Sequence, residues 1–290
     1  MLEMLQYGFL KNAFLAGGMI ALIAPVIGVY IVLRRQSLVA ETLSHVSLAG
    51  VALGALLGYY PMLTGMVAAL FGAMLVDTLR RSFRSYSELS IAILMSGGLA
   101  TALVLMSMNQ GVSRSFTSYL FGSIIAVNAT DLMVMAGVLV LCALFFFFLW
   151  RPMYVLTFDE ETAEVSGIPT RWLSLAFSLL TGLVVAVSMP IVGVLLVSSL
   201  MVLPAAIALR LSKGFTLAVV LAVVIGLVGV MSGLTLSFYQ DIPPGGTIVL
   251  VLIGILIAVL ALKRLVLFFQ TRFGSKEDAG LLASKTVEER

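Results

Sequence analysis

The chain has 290 residues, of which 61% are hydrophobic and only 11% charged, with a formal net charge of +3. A water-soluble domain of that length has no use for so much apolar surface, whereas a helical membrane protein takes about 20 apolar residues for each crossing. The apolar runs are continuous and do not alternate with period two, which argues against a β-barrel. The single Cys142 lies inside one of them, leaving neither a disulfide framework nor a thiolate metal cluster.

Taken in chain order, the apolar runs predict an all-α, polytopic membrane protein with spans at 9–33, 37–58, 61–79, 88–108, 131–150, 172–189, 191–210, 214–238 and 247–267. The first is too long for a signal segment and reads as a retained span. The seventh is bracketed by Pro190 and Pro204, and a broken or re-entrant path there would reduce the count from nine to eight. The piece 117–127 is too short to span and reads as re-entrant or interfacial. A membrane domain over 1–270 is thus followed by a short tail, 271–290, that carries both charge signs.

Charge in the connections predicts orientation. Arg34 and Arg35, then Arg80, Arg81 and Arg84, then Arg151 and Arg171, then Arg210 and Lys213, then Lys263 and Arg264 fall in alternate loops. The opposite loops hold only Lys11 and Arg114. By the positive-inside rule the N-terminus is outside, the C-terminus is cytoplasmic, and 151–171 is the largest cytoplasmic loop. Small residues recur within the spans, at Gly17 and Gly18, Gly50 and Gly54, Gly97 and Gly98, and Gly226, Gly229 and Gly233. Such positions let helices approach closely.

Three stretches stand out chemically. The second span, SLVAETLSHVSLAG, carries Glu41 and the chain's only histidine, His45. Four residues apart on a helix, both side chains leave one face one turn from each other. Ionisable groups inside a span are costly and mark ion paths or coordination sites. A snorkelling Glu41 beside a His45 bonded to a backbone carbonyl is the plainer alternative. Two ligands hold a transition metal weakly, whereas two copies facing across a dimer axis supply the four of tetrahedral zinc. In the loop 151–171, Asp159, Glu160, Glu161 and Glu164 open an acidic helix that Gly167 and Pro169 stop. This is either a solvated connector or a helix that docks on a cytoplasmic partner. In 238–249, Asp241 beside Pro243, Pro244, Gly245 and Gly246 predicts a tight outer turn.

No Walker A or dinucleotide fingerprint occurs, and no constellation suggests a catalytic site. The chain is therefore not expected to be an enzyme, and any ATPase must be a separate polypeptide. A secondary carrier or channel acting alone is the competing class.

Five segments in order, TLSHVSLAGVALG (42–54), YLFGSIIAV (119–127), DEETAEVSG (159–167), VGVLLVSSLMVLPAA (192–206) and DIPPGGTIVL (241–250), resemble the permease subunit of the bacterial zinc and manganese ABC importers. The resemblance implies a multi-pass protein of the bacterial cytoplasmic membrane. It implies as partners a second permease copy, cytoplasmic ATP-binding subunits that use the ATP, and an extracytoplasmic metal-binding protein. No permanent cofactor is implied; the metal is cargo. The family motif D-x-x-S-H maps onto Glu41, Ser44 and His45, with glutamate replacing the usual aspartate, and its proposed metal contacts fall on Glu41 and His45. The segment coupled to the ATPase maps onto Asp159, Glu161, Ala163 and Gly167. The motifs look more like the zinc branch than the manganese branch, and a carboxylate with an imidazole suits zinc without excluding manganese.

Overall fold

The computed structural model describes residues 8–83, 87–108, 118–123 and 127–265. Among these, nine helices are long and apolar enough to cross a membrane. They are α1 (Gly8–Leu33), α2 (Ser37–Leu57), α3 (Pro61–Ser82), α4 (Ser87–Ser107), α5 (Ala129–Phe158), α7 (Thr170–Val192), α8 (Val194–Leu211), α9 (Phe215–Gln240) and α10 (Pro244–Leu265). A short helix, α6 (Glu160–Val165), lies between α5 and α7. All nine expected spans are present. The expected tail lies outside the described residues, as do residues 117 and 124–126 of the short apolar piece.

Three boundaries differ from expectation, each for a local reason. First, α5 runs eight residues past the apolar stretch, to Phe158. Met153 and Leu156 are buried there, so an amphipathic continuation replaces the first part of the expected loop. Second, the sixth and seventh spans meet at Gly193: Pro190 lies inside α7, and Pro204 lies inside α8 without ending it. At 18 residues α8 is about 27 Å long, just enough to cross. Third, the expected PPGG turn is shorter, because α10 starts at Pro244, where the missing N–H costs nothing.

Helix pairing sorts the fold. α2, α3 and α4 pack chiefly on one another and on α7, whereas α1, α8 and α9 pack on one another with α5 laid against α1. The glycines serve these contacts. A Cβ on Gly50 would lie 2.3 Å from the Ala68 side chain, and one on Gly98 would lie 2.9 Å from the Val46 amide nitrogen. Gly97, by contrast, faces open space. At the other end of α1, Tyr30 is fully buried in an aromatic cluster with Phe146, Trp150, Phe177 and Phe215.

The helix ends fall into two sets. One gathers Phe9, the helical turn 118–121, the α7–α8 junction and the start of α10. Ser123 N donates to the Pro190 carbonyl at 2.9 Å. Gly122 and Gly193, at φ +77° and +83°, press together, and Gly245 sits against the Val192 carbonyl, where a Cβ would be 1.8 Å away. Only glycine fits such approaches. The other set gathers the α1–α2 turn, the C-terminal end of α3 and the starts of α4, α7 and α9. There Arg34 Nη2 donates to Ser174 Oγ at 3.0 Å. With the Gln36 amide oxygen turned toward α3, it accepts from Arg80 Nη1 and Nη2 at 3.0 and 2.9 Å.

Candidate metal-transport site

The site is built on α2, most of which is buried in the bundle. Its hydroxyls are spent on packing: Thr42 Oγ1 donates to the Leu38 and Ile91 carbonyls at 2.9 and 3.3 Å, and Ser47 Oγ to the Gly65 carbonyl at 2.9 Å. Ser44 Oγ bonds back to the Ala40 carbonyl at 2.9 Å, so this motif residue does not join the pair beside it. Leu38, Glu41, Ala49 and Leu53, all at least partly accessible, lie along one stripe of α2 at helical spacing, with the buried His45 on the same line.

Glu41 and His45 thus share a face, as their spacing requires, but they make no hydrogen bond or ion pair with each other. His45 is 7% exposed, and its Nδ1 is buried with no hydrogen-bond partner. No backbone carbonyl bonds that nitrogen. Buried polar atoms are nearly always paired, so an orphaned imidazole nitrogen beside a carboxylate fits a ligand position. Among the described residues, no three His, Cys, Asp or Glu side chains gather to hold a metal. One chain offers two donors. Below the stripe, a cavity of about 420 Å³ opens among Leu38, Arg35, Gln36, Ser37, Arg80 and Glu88.

The acidic segment folds as expected, with sharper roles. Asp159 caps α6, its Oδ1 accepting from Glu161 N and Thr162 N at 3.0 and 3.1 Å, and its Oδ2 from the Thr162 hydroxyl. These bonds, the Thr162 hydroxyl's above all, hold the exposed carboxyl below the usual aspartate range. Ala163 is fully buried, Glu161 is exposed, and Val165 projects 91% exposed. Gly167, at φ +78°, ends the helix: its N–H reaches the Glu164 carbonyl and the Ile168 N–H the Ala163 carbonyl, both at 3.0 Å. Glu164 Oε1 accepts from Thr170 Oγ1 at 3.1 Å, tying α6 to α7.

One polar contact was missed in the sequence. Tyr60, on the α2–α3 turn, donates its hydroxyl to Asp131 Oδ1 in the first turn of α5. Asp131 Oδ2 also accepts from Asn128 N, and Asn128 Oδ1 from Asp131 N, both at 3.0 Å, forming a capping box. The N-x-x-D spacing before an apolar run could have revealed the cap; nothing local points to Tyr60.

Residues 6–263 match the model of the ABC 3 transport family. The chain belongs to that family. It is 35% identical over 261 residues to a Treponema pallidum protein named "Probable metal transport system membrane protein", covering 90% of this chain and 98% of that one. It is 30% identical over 246 residues to the high-affinity zinc uptake system membrane protein ZnuB of Haemophilus influenzae (84% and 94%). It is 28% identical over 249 residues to the manganese transport system membrane protein MntC of Halalkalibacterium halodurans (86% and 85%). Among solved structures, PsaBC from Streptococcus pneumoniae in complex with Fab superposes with a TM-score of 0.81 at 27% identity, covering 89% of this chain and 93% of that one.

Proposed function

We propose that this chain is the permease subunit of an ATP-driven importer of divalent metal ions, with zinc the favoured cargo. The observation that carries the reading is the buried, orphaned Nδ1 of His45 on the face of α2 that also bears Glu41. Two copies of the chain, paired stripe to stripe, bring two carboxylates and two imidazoles together, a donor set suited to zinc. Residence there is brief, because a transport site must also let its ion go. Manganese is the alternative cargo, supported by a manganese-named relative and by the oxygen donors of Glu41.

The arginine-rich ends face the cytoplasm, and the Gly122–Gly193–Gly245 end faces outward, toward an extracytoplasmic metal-binding protein. On the cytoplasmic side α6 presents Val165 to a separate ATP-binding subunit, with Asp159 and Gly167 fixing its two ends and Ala163 seating it. The chain itself performs no hydrolysis.

The test is metal content and ATP-dependent uptake of the reconstituted complex. His45→Ala removes the imidazole and abolishes most uptake, and Glu41→Gln does nearly as much harm. Glu41→Asp restores the family's usual residue and keeps activity, with zinc and manganese selectivity changed. Wild-type metal content and uptake in His45→Ala refute the site. Uptake by vesicles holding this chain alone refutes the ATP-driven class in favour of a secondary carrier.

A further inference from the structure

Asp131 is 5% exposed, at the N-terminal end of a membrane helix. Burying a carboxylate there is expensive, and its place in the capping box alone does not require a charge, because a side-chain amide oxygen accepts the Asn128 N–H as well. Its Oδ2 takes the capping bond from Asn128; its Oδ1 faces the Tyr60 hydroxyl. That second bond joins elements that are not packing neighbours. α3 packs on α2, α4 and α7, while α5 packs on α1, α6 and α7.

Both ends of the bond lead somewhere. Tyr60 belongs to the turn that closes the α2–α3 hairpin, so it sits at the far end of the helix that bears Glu41 and His45. Asp131 belongs to α5, a single helix of 30 residues, about 45 Å, that reaches Phe158 with Pro152 in its last two turns. The next residue, Asp159, caps α6. The N-terminal end of α5 is held in turn to α1, where Asn12 Nδ2 donates to the Val127 carbonyl at 3.5 Å.

We propose that the Tyr60–Asp131 hydrogen bond is the link through which α5, acting as a rod, passes displacement of α6 to the hairpin that carries the metal donors. Tyr60 and Asp131 are positioning residues: they touch no cargo, and they set where the outer end of α2 stands when α6 moves. This inference rests on the importer reading above and adds the route by which ATP turnover reaches Glu41 and His45.

The experiment uses the full complex in proteoliposomes and measures ATP hydrolysed, zinc imported and zinc retained by the purified complex. Tyr60→Phe removes one hydroxyl and leaves the ring. Expected are wild-type ATP turnover and wild-type retained zinc, with zinc imported per ATP reduced about tenfold, the scale of one lost hydrogen bond to a charged group. Asp131→Asn, which can still cap, gives the same defect, and the double variant is no worse than either single one. A contact that merely stabilises the fold lowers turnover, retention and import together, and that result overturns the link. So does unchanged import per ATP in Tyr60→Phe, or additive loss in the double variant. A wild-type complex that imports no zinc and no manganese refutes the importer reading and this inference with it. Wild-type import with an unaffected Tyr60→Phe refutes the link alone.

Discussion

Replacement of Gly167 separates a backbone requirement from a steric one. Its φ of +78° lies in the left-handed region, yet nothing stands within 4 Å of where a Cβ would be. The penalty for a side chain is therefore conformational only: about 1–2 kcal/mol for an L-residue held in that region, at the upper end for a β-branched one. That energy is a roughly 5- to 30-fold loss in the population that keeps the helix stop and the Ile168–Ala163 hydrogen bond. Expected import by the reconstituted complex follows the order Gly167→Asn, near wild type because asparagine tolerates the left-handed region, then Gly167→Ala, then Gly167→Val. Membrane insertion is unchanged throughout, since the residue is exposed and outside the spans. Uptake measured beside co-purification of the ATP-binding subunit checks this order. Equal loss in the asparagine and valine variants refutes the backbone argument, and wild-type behaviour in valine returns α6 to a plain connector.

Three other outcomes are expected. Gly28→Ala drives a methyl to 2.0 Å from the Met201 carbonyl and costs about 1–3 kcal/mol, whereas Gly97→Ala, facing open space, costs nothing; thermal midpoints of the purified protein distinguish them. In a Cys142→Ala background, Ser166→Cys labels only from the cytoplasmic side and Gln240→Cys only from outside; labelling of both from one side refutes the orientation. The Asp159 carboxyl is depressed, so its contribution to the α6 cap is complete above the ordinary aspartate value near 4 and is lost as pH falls through the lower folded value. Uptake changes between pH 5 and 8 therefore persist in Asp159→Asn; their disappearance refutes the assignment.

The spans were legible in the sequence because lipid demands unbroken apolar runs, and that demand stops at the membrane surface. Beyond it, RPMYVLTF continues α5 on an amphipathic pattern that hydropathy does not register. The PPGG run was readable as a stop for α9, but Gly245 is set by its approach to Val192, a neighbour remote in sequence. Glu41 and His45 were legible because helical spacing alone puts them on one face. Ser44 carries the same motif, yet its hydroxyl turns back to its own helix. Tyr60 and Asp131 were not legible as a pair, since their meeting depends on how two separate helices are placed.

The knot of Gly122, Gly193 and Gly245 also constrains the order in which the protein is made. Chains emerge from the N-terminus and fold as they appear. The break after α7 gains the amide of Ser123 as partner for the Pro190 carbonyl from chain already synthesised. The backbone that covers the Val192 carbonyl arrives only with the start of α10. Until then this irregular stretch keeps one side uncovered at its end of the helix bundle. Biogenesis of this face is consequently completed by its last helix, and a nascent chain released before residue 244 leaves the junction unfinished.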